Sequence, residues 1–359
     1  MTTTRQQLLF DPKPIGLLSH TSFPATRYQG SKLKLLDWIW SELGRYSFES
    51  VLDLFGGTAS VSYLFKTKGK QIIFNDLMRC NCVAAEALIA NSRVVLSEDM
   101  IAGLFERKSG KAYDDFIART FEGVFYTPPE NQILDVVAQN ITDMAGPLRA
   151  MCYHALFQAC LAKRPYNLFH RANLYMRLAD VERSFGNKVT WERSFPDHMI
   201  SAAEQANAAI FDSGQQHSTI CDAAENVTVP ADLVYLDPPY INGQGIGTNY
   251  LDYYHFLEGL ICYREWPQHI DRSYKHLPFR RSDNPWLTVS GFLKAFAKVV
   301  DTYRESVIVL SYRADGLPSP EDLRSILERA GKKVRIAASS KYQYALSKTA
   351  TKELLIIAE

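Results

Sequence analysis

Short apolar runs that stop at an acid or a glycine recur along this chain, with stretches of helical spacing between them. Ser50 to Phe55 runs into Gly56-Gly57, and Gln71 to Phe74 runs into Asn75-Asp76. Ser218 to Asp222 follows the same plan, and Leu233 to Leu236 closes on Asp237-Pro238-Pro239-Tyr240. Runs this short, without polar alternation, read as strands buried on both faces, as in a parallel sheet. Three more strands are predicted at Ser306 to Ser311, Lys333 to Ala338 and Glu353 to Ala358, the last two joined by a hairpin-length link. Helices are predicted from Leu33 to about Leu43, from Val61, over Leu77 to Asn91, Gly146 to Ala162, Trp286 to Tyr303 and Pro320 to Gly331.

The pattern changes between about Leu96 and Gln215, where helical spacing alternates with polar loops and few strands are expected. The predicted organisation is a polar N-terminal arm (1–26), an α/β domain formed by 27–96 and 215–359, and a mainly helical insertion (97–214) between the second and third strands. The chain has 359 residues, enough for one large domain or two ordinary ones.

An apolar fraction of 47% and a charged fraction of 22% are those of an ordinary globular protein. With a net charge of +1, no overall field draws the chain to a polyanion, so any nucleic-acid surface has to be local. The six cysteines include no C-x-x-C pair, which argues for reduced thiols in a cytoplasmic protein and against a structural zinc. No metal site is expected. The chain shows no long apolar span and no signal-type leader, so no membrane segment is expected.

Ligands of open α/β sheets bind beyond the carboxyl ends of the strands, and the chemistry-bearing residues collect there. Pro238 and Pro239 cannot continue a central strand, so the chain leaves the sheet at Asp237 with two fixed φ angles. A carboxylate beside rigid carbonyls offers acceptors for an amino group, and Tyr240 offers a flat face to a planar base. A proline turn opened by Asp237 is the plainer alternative. Strand, glycine turn and helix at Val51 to Phe65 form a nucleotide-binding βα unit. It lacks both the G-x-G-x-x-G spacing of a dinucleotide site and a phosphate-loop lysine. Asp76, at the end of the next strand, stands where a ribose diol is gripped, or it caps the helix that follows. Within the insertion, Lys163, Arg164, Asn167, His170, Arg171, Asn173 and Arg177 interleave basic and polar side chains with rings. This suits phosphate and base contacts, or a solvated helical face.

Arg27-Tyr28-Gln29-Gly30-Ser31-Lys32, Asp53-x-Phe55-x-Gly57, Asn75-Asp76 and Asp237-Pro238-Pro239-Tyr240, in this order, resemble the adenine-N6 DNA methyltransferases of the alpha group, the Dam-like class of restriction-modification systems. The resemblance covers nearly all of the chain after Thr26. It implies a Rossmann-like S-adenosylmethionine-dependent methyltransferase fold with an antiparallel last strand and a helical target-recognition insertion. It implies a cofactor site at Tyr28, Lys32, Phe55, Gly57 and Asp76, with Asp222 as a weaker match against the adenine ring and Lys32 near the methionine portion. It implies catalysis by Asp237, Pro238 and Tyr240 on an adenine flipped out of double-stranded DNA, and a possible partner endonuclease. Cytosine-N4 or RNA-adenine methylation, and a non-catalytic DNA-binding relative, are the alternatives. One departure is Ala59, where the family often has glycine; alanine is expected to be tolerated there if φ stays negative.

Overall fold

Among the described residues, seven strands form one sheet in the order β3-β2-β1-β4-β5-β7-β6. In this computed structural model the described residues are 23–25, 27, 30–181, 188–342 and 351–359. The strands are β1 (Ser50–Asp53), β2 (Gln71–Asn75), β3 (Ser218–Ile220), β4 (Leu233–Leu236), β5 (Val307–Arg313), β6 (Val334–Tyr342) and β7 (Thr351–Ala358). β1 to β5 pair in parallel, and β7 enters antiparallel between β5 and β6. This is the methyltransferase fold expected from the motifs. β5 runs two residues past the expected Ser311, because Tyr312 and Arg313 keep their pairing with β7.

The strands alternate between two apolar layers, which is why their sequences show no polar face. Val51, Leu233 and Tyr235 join one cluster, while Leu52, Leu54, Val234 and Leu236 join the other. The second layer is closed by the helices Val289–Thr302 and Pro320–Arg329 through Phe292, Phe296, Val299 and Leu323. The first layer is closed largely by the insertion between β2 and β3. Its long helices, Pro128–Thr142, Gly146–Ala162 and Phe195–Ala209, bring Leu134, Val137, Met151, Leu156 and Met199 into the cluster that holds Val51 and Phe74.

The helix expected over Leu77 to Asn91 starts at Arg79 and changes at Glu86 into a π turn ending at Ala90. There the buried Lys66 ammonium donates to the carbonyls of Leu88, Ile89 and Asn91, at 3.3, 2.8 and 3.1 Å, and satisfies the orphan carbonyls of the turn. Strand order reverses at β1: the chain proceeds to β2 and β3 on one side and to β4 and β5 on the other. A crevice therefore opens past the ends of β1 and β4.

Candidate active site

The crevice begins with a buried asparagine. The Asn75 amide donates to the carbonyls of Leu54 (2.9 Å) and Asp222 (3.1 Å), and its oxygen accepts from the Asp222 backbone N–H (3.2 Å). One side chain thus binds the ends of β1, β2 and β3 together. Gly56 packs on Phe74 so closely that a Cβ would lie 2.0 Å from the ring, and Gly57 has φ +51°. Ala59 also sits in the left-handed region, at φ +63°. The condition of a negative φ is thus not met: the turn holds an alanine in the left-handed region, at a cost of roughly 1–2 kcal/mol.

Asp76 closes this turn. One of its oxygens accepts from the Gly57 N–H (2.9 Å) and the other from the Met78 N–H (2.8 Å). The Asn81 side chain and the Leu77 backbone N–H also donate to this carboxylate. Burial raises its pKa despite these bonds. The turn, Asp76 and the end of β4 enclose a cleft with about 1170 Å³ of empty space, its solvent mouth included. Phe55 and Trp286 form one wall, with ring centroids 4.8 Å apart and edge to face. Glu225 fixes Trp286 by accepting from its indole N–H at 2.7 Å. Among the described residues, the lining carries the acids Asp53, Asp76, Glu225, Asp237 and Asp283 against the single base Lys32. An acidic cleft repels phosphates and suits a ligand with a planar ring, a diol and a cationic end.

Asp237 follows β4 directly, and its carboxylate is not alone. The Lys32 ammonium is 2.8 Å from each of its oxygens, 2.8 Å from the Tyr240 hydroxyl and 3.3 Å from Glu353. Lys32 is buried. Desolvation opposes its charge, but Asp237 and Glu353 outweigh that and raise its pKa above the ordinary value. The Tyr240 hydroxyl is 3.1 Å from Asp237 and 3.0 Å from Glu353, so one phenolic proton faces two carboxylates. Burial, then Asp237 and Glu353, push that phenol far up, and it stays protonated. Glu353, on β7, also accepts from Ser311 at 2.6 Å.

The structure therefore brings together Lys32, Phe55, Gly57, Asp76 and Asp237. Pro238 is buried next to Asp237, and Pro239 rather than Pro238 lines the cleft. Asp222 is not among the residues that line the cleft. It is exposed and accepts from its own turn, at Ala223 (2.7 Å), while Ala223 to Glu225 provide the lining. Tyr28 lies outside the described residues. Two participants are not assigned a role from the sequence. Asp53 reads only as part of the Asp53-x-Phe55-x-Gly57 motif and Glu353 only as part of the final strand, yet both are buried acids facing Asp237.

The basic segment of the insertion divides in two. Lys163 is buried, 2.9 Å from Glu130, and donates to the carbonyls of Trp191 (2.8 Å) and Arg193 (2.5 Å). Arg164 is buried on the Phe125 ring and donates to Leu168 and Arg171 carbonyls. Arg177 forms a two-pronged pair with Glu130, at 2.9 and 2.8 Å. Asn173 is buried as well. These four are structural, which corrects their reading as DNA contacts: a basic and aromatic pattern does not say which way each side chain faces. Arg171 is exposed, and Asn167 and His170 are part-exposed, beside Tyr166, which is 55% exposed. Tyr166 and Asn167 both have positive φ, 62° and 57°.

The sheet order and the acid-lined crevice beyond β1 and β4 define a methyltransferase. The family model of the D12 class N6 adenine-specific DNA methyltransferases matches residues 28–310, and the chain belongs to that family. It is similar to the type II methyltransferase M2.HphI of Haemophilus parahaemolyticus, at 26% identity over 89% of this chain and 92% of that protein. It is similar to the type II methyltransferase M.NlaIII of Neisseria lactamica, at 25% over 85% and 88%. The modification methylase StsI of Streptococcus sanguinis matches at 26% over 84% of this chain but 46% of its own length. Adenine N6 in DNA is thereby the target class, ahead of cytosine N4 and RNA. No helix among the described residues is long and apolar enough to cross a membrane.

Proposed function

We propose that the chain transfers a methyl group from S-adenosylmethionine to the N6 amine of an adenine flipped out of a specific site in double-stranded DNA. The observation that carries the reading is that the glycine turn, Asp76 and Asp237 line one cleft. Phe55 and Trp286 would take the cofactor's purine, Asp76 its ribose hydroxyls, and the surrounding acids its cationic end. When bound, this cofactor supplies an electrophilic methyl on a sulfonium.

The remaining work falls to the chain. An adenine amine is a poor nucleophile, because its lone pair is drawn into the ring. Asp237 and the Pro238 carbonyl would accept the two amine hydrogens, which frees that lone pair and points it at the methyl. Positive charge then grows on nitrogen, so the Asp237 carboxylate binds the transition state more strongly than the ground state. Tyr240 would pack on the extruded ring. Flipping costs a few kcal/mol, which contacts from the helical insertion would offset. Within the insertion, Tyr166, Asn167, His170 and Arg171 would make them, a reading supported by their exposure. The similarity to type II methyltransferases supports a restriction-modification setting, and a partner endonuclease and a cytoplasmic location are proposed with it.

The test is transfer of a tritiated methyl from S-adenosylmethionine to double-stranded DNA. Wild-type protein is expected to label adenine N6. Asp237→Ala is expected to lose label by about 10³-fold or more, with cofactor binding retained. Full labelling by Asp237→Ala would remove Asp237 from the mechanism.

A further inference from the structure

We infer that Glu353 on the last strand is a positioning residue for methyl transfer. It offers the Lys32 ammonium a second anion, so that Asp237 can let go of the lysine and take the adenine amine. The inference rests on the role of Asp237 proposed above.

The difficulty it resolves is visible in the distances. Lys32 lies 2.8 Å from both oxygens of Asp237, so the carboxylate that has to accept an amine hydrogen is already engaged. Lys32 is 3% exposed, and a buried ammonium that lost its anion would be strongly disfavoured. Glu353 stands 3.3 Å away, fully buried, with its Oε1 also accepting from Ser311. A short movement keeps the ammonium paired while Asp237 turns to the amine.

The phenol follows the same exchange. Its one proton can be donated to Asp237 at 3.1 Å or to Glu353 at 3.0 Å, and its oxygen accepts from Lys32 at 2.8 Å. When the amine displaces these donors from Asp237, Tyr240 turns its proton to Glu353. No covalent bond changes in this exchange. One cation and two carboxylates also leave the cluster one negative charge in excess, which favours an amine that becomes positive during transfer. The antiparallel β7 brings this about. It places Glu353 opposite Arg313, one residue past Tyr312 on the neighbouring strand, with the Glu353 N–H held by Ser339 at 3.0 Å.

The test is a double-mutant cycle on the single-turnover methylation rate, at saturating DNA and S-adenosylmethionine. The variants are Lys32→Gln, Glu353→Gln and both together. Glutamine keeps the volume and the hydrogen bonds to Ser311 and Tyr240 but not the charge. Glu353→Gln is expected to slow the step about 10- to 100-fold, within the range of couplings in one charge network. It should leave KM for DNA and cofactor binding unchanged. In the Lys32→Gln background the same change is expected to have no further effect. Glu353→Asp, which keeps the charge, is expected to recover part of the rate, and it carries the test if the glutamine variant does not fold. Losses that multiply across the cycle, or full speed in Glu353→Gln, would overturn the inference while leaving Asp237 untouched. Labelling that survives Asp237→Ala would instead bring down the reading beneath it.

Discussion

Asp53 ends β1 with its carboxyl inside the protein and accepts from the Ser62 hydroxyl at 2.7 Å. Burial, with Asp237 and Asp76 near, raises its pKa from 3.8 to about 7, against the opposing pull of Ser62. Between those values the folded chain keeps a proton that the unfolded chain has lost. This contribution to stability is complete below pH 3.8 and disappears as pH rises through about 7. A cationic ligand reverses the preference, because it favours the carboxylate. Cofactor affinity is therefore expected to weaken as pH falls through 7. Asp53→Asn is expected to raise the melting temperature of the free protein at pH 8 by about 2–4 °C and to flatten the pH dependence of cofactor binding. Scanning calorimetry and titration calorimetry read the two effects. A lower melting temperature with an unchanged binding profile would show that Asp53 is only a scaffold acid. The motif Asp53-x-Phe55-x-Gly57 marks the acid by resemblance, but its raised pKa comes from burial and from Asp237 and Asp76, distant in the chain.

The segment from Lys163 to Arg177 shows what a pattern of residue types leaves open. Its composition fits a nucleic-acid surface, but Arg164 is turned inward and braces the loop by donating to the carbonyls of Leu168 and Arg171. The left-handed pair Tyr166-Asn167 stands out from that brace. Strained backbone of this kind persists only where the surroundings over-determine it. Arg164→Ala is expected to destabilise the fold by about 3 kcal/mol or more, because it leaves buried carbonyls unpaired and a void beside Phe125. Arg171→Ala is expected to leave stability unchanged. It should weaken DNA binding and reduce the log–log salt dependence by about one phosphate contact. Denaturant unfolding and binding at several salt concentrations separate the two. The opposite assignment of effects would mean that the inward and outward roles are reversed. The strands were far easier to read. Apolar runs closed by Asp, Asn or Gly have one physical explanation in a parallel sheet, and β4 begins and ends where its sequence does.

At the scale of the molecule, two distant parts of the sequence meet at one reversal of strand order. β1 and β4 are neighbours in the sheet, with Asp53 in register with Tyr235. The glycine turn after β1 and the proline turn after β4 therefore open into the same crevice. The order of the motifs was legible as a resemblance, and the sheet gives the physical reason for it. Less legible was the part taken by β7, whose Glu353 reaches Lys32 and Tyr240 only through antiparallel pairing with β5. The helical insertion was legible as an interruption, but not as a wall of the core it shares with the sheet.

The central claim is that the cofactor's reacting end and Asp237 occupy one cavity. A crystal structure with bound S-adenosylhomocysteine tests this directly. The account predicts the purine against Phe55 and Trp286, the ribose hydroxyls on Asp76, and the sulfur facing Asp237. A cofactor seated in any other part of the fold, with its sulfur turned away from Asp237, would contradict it.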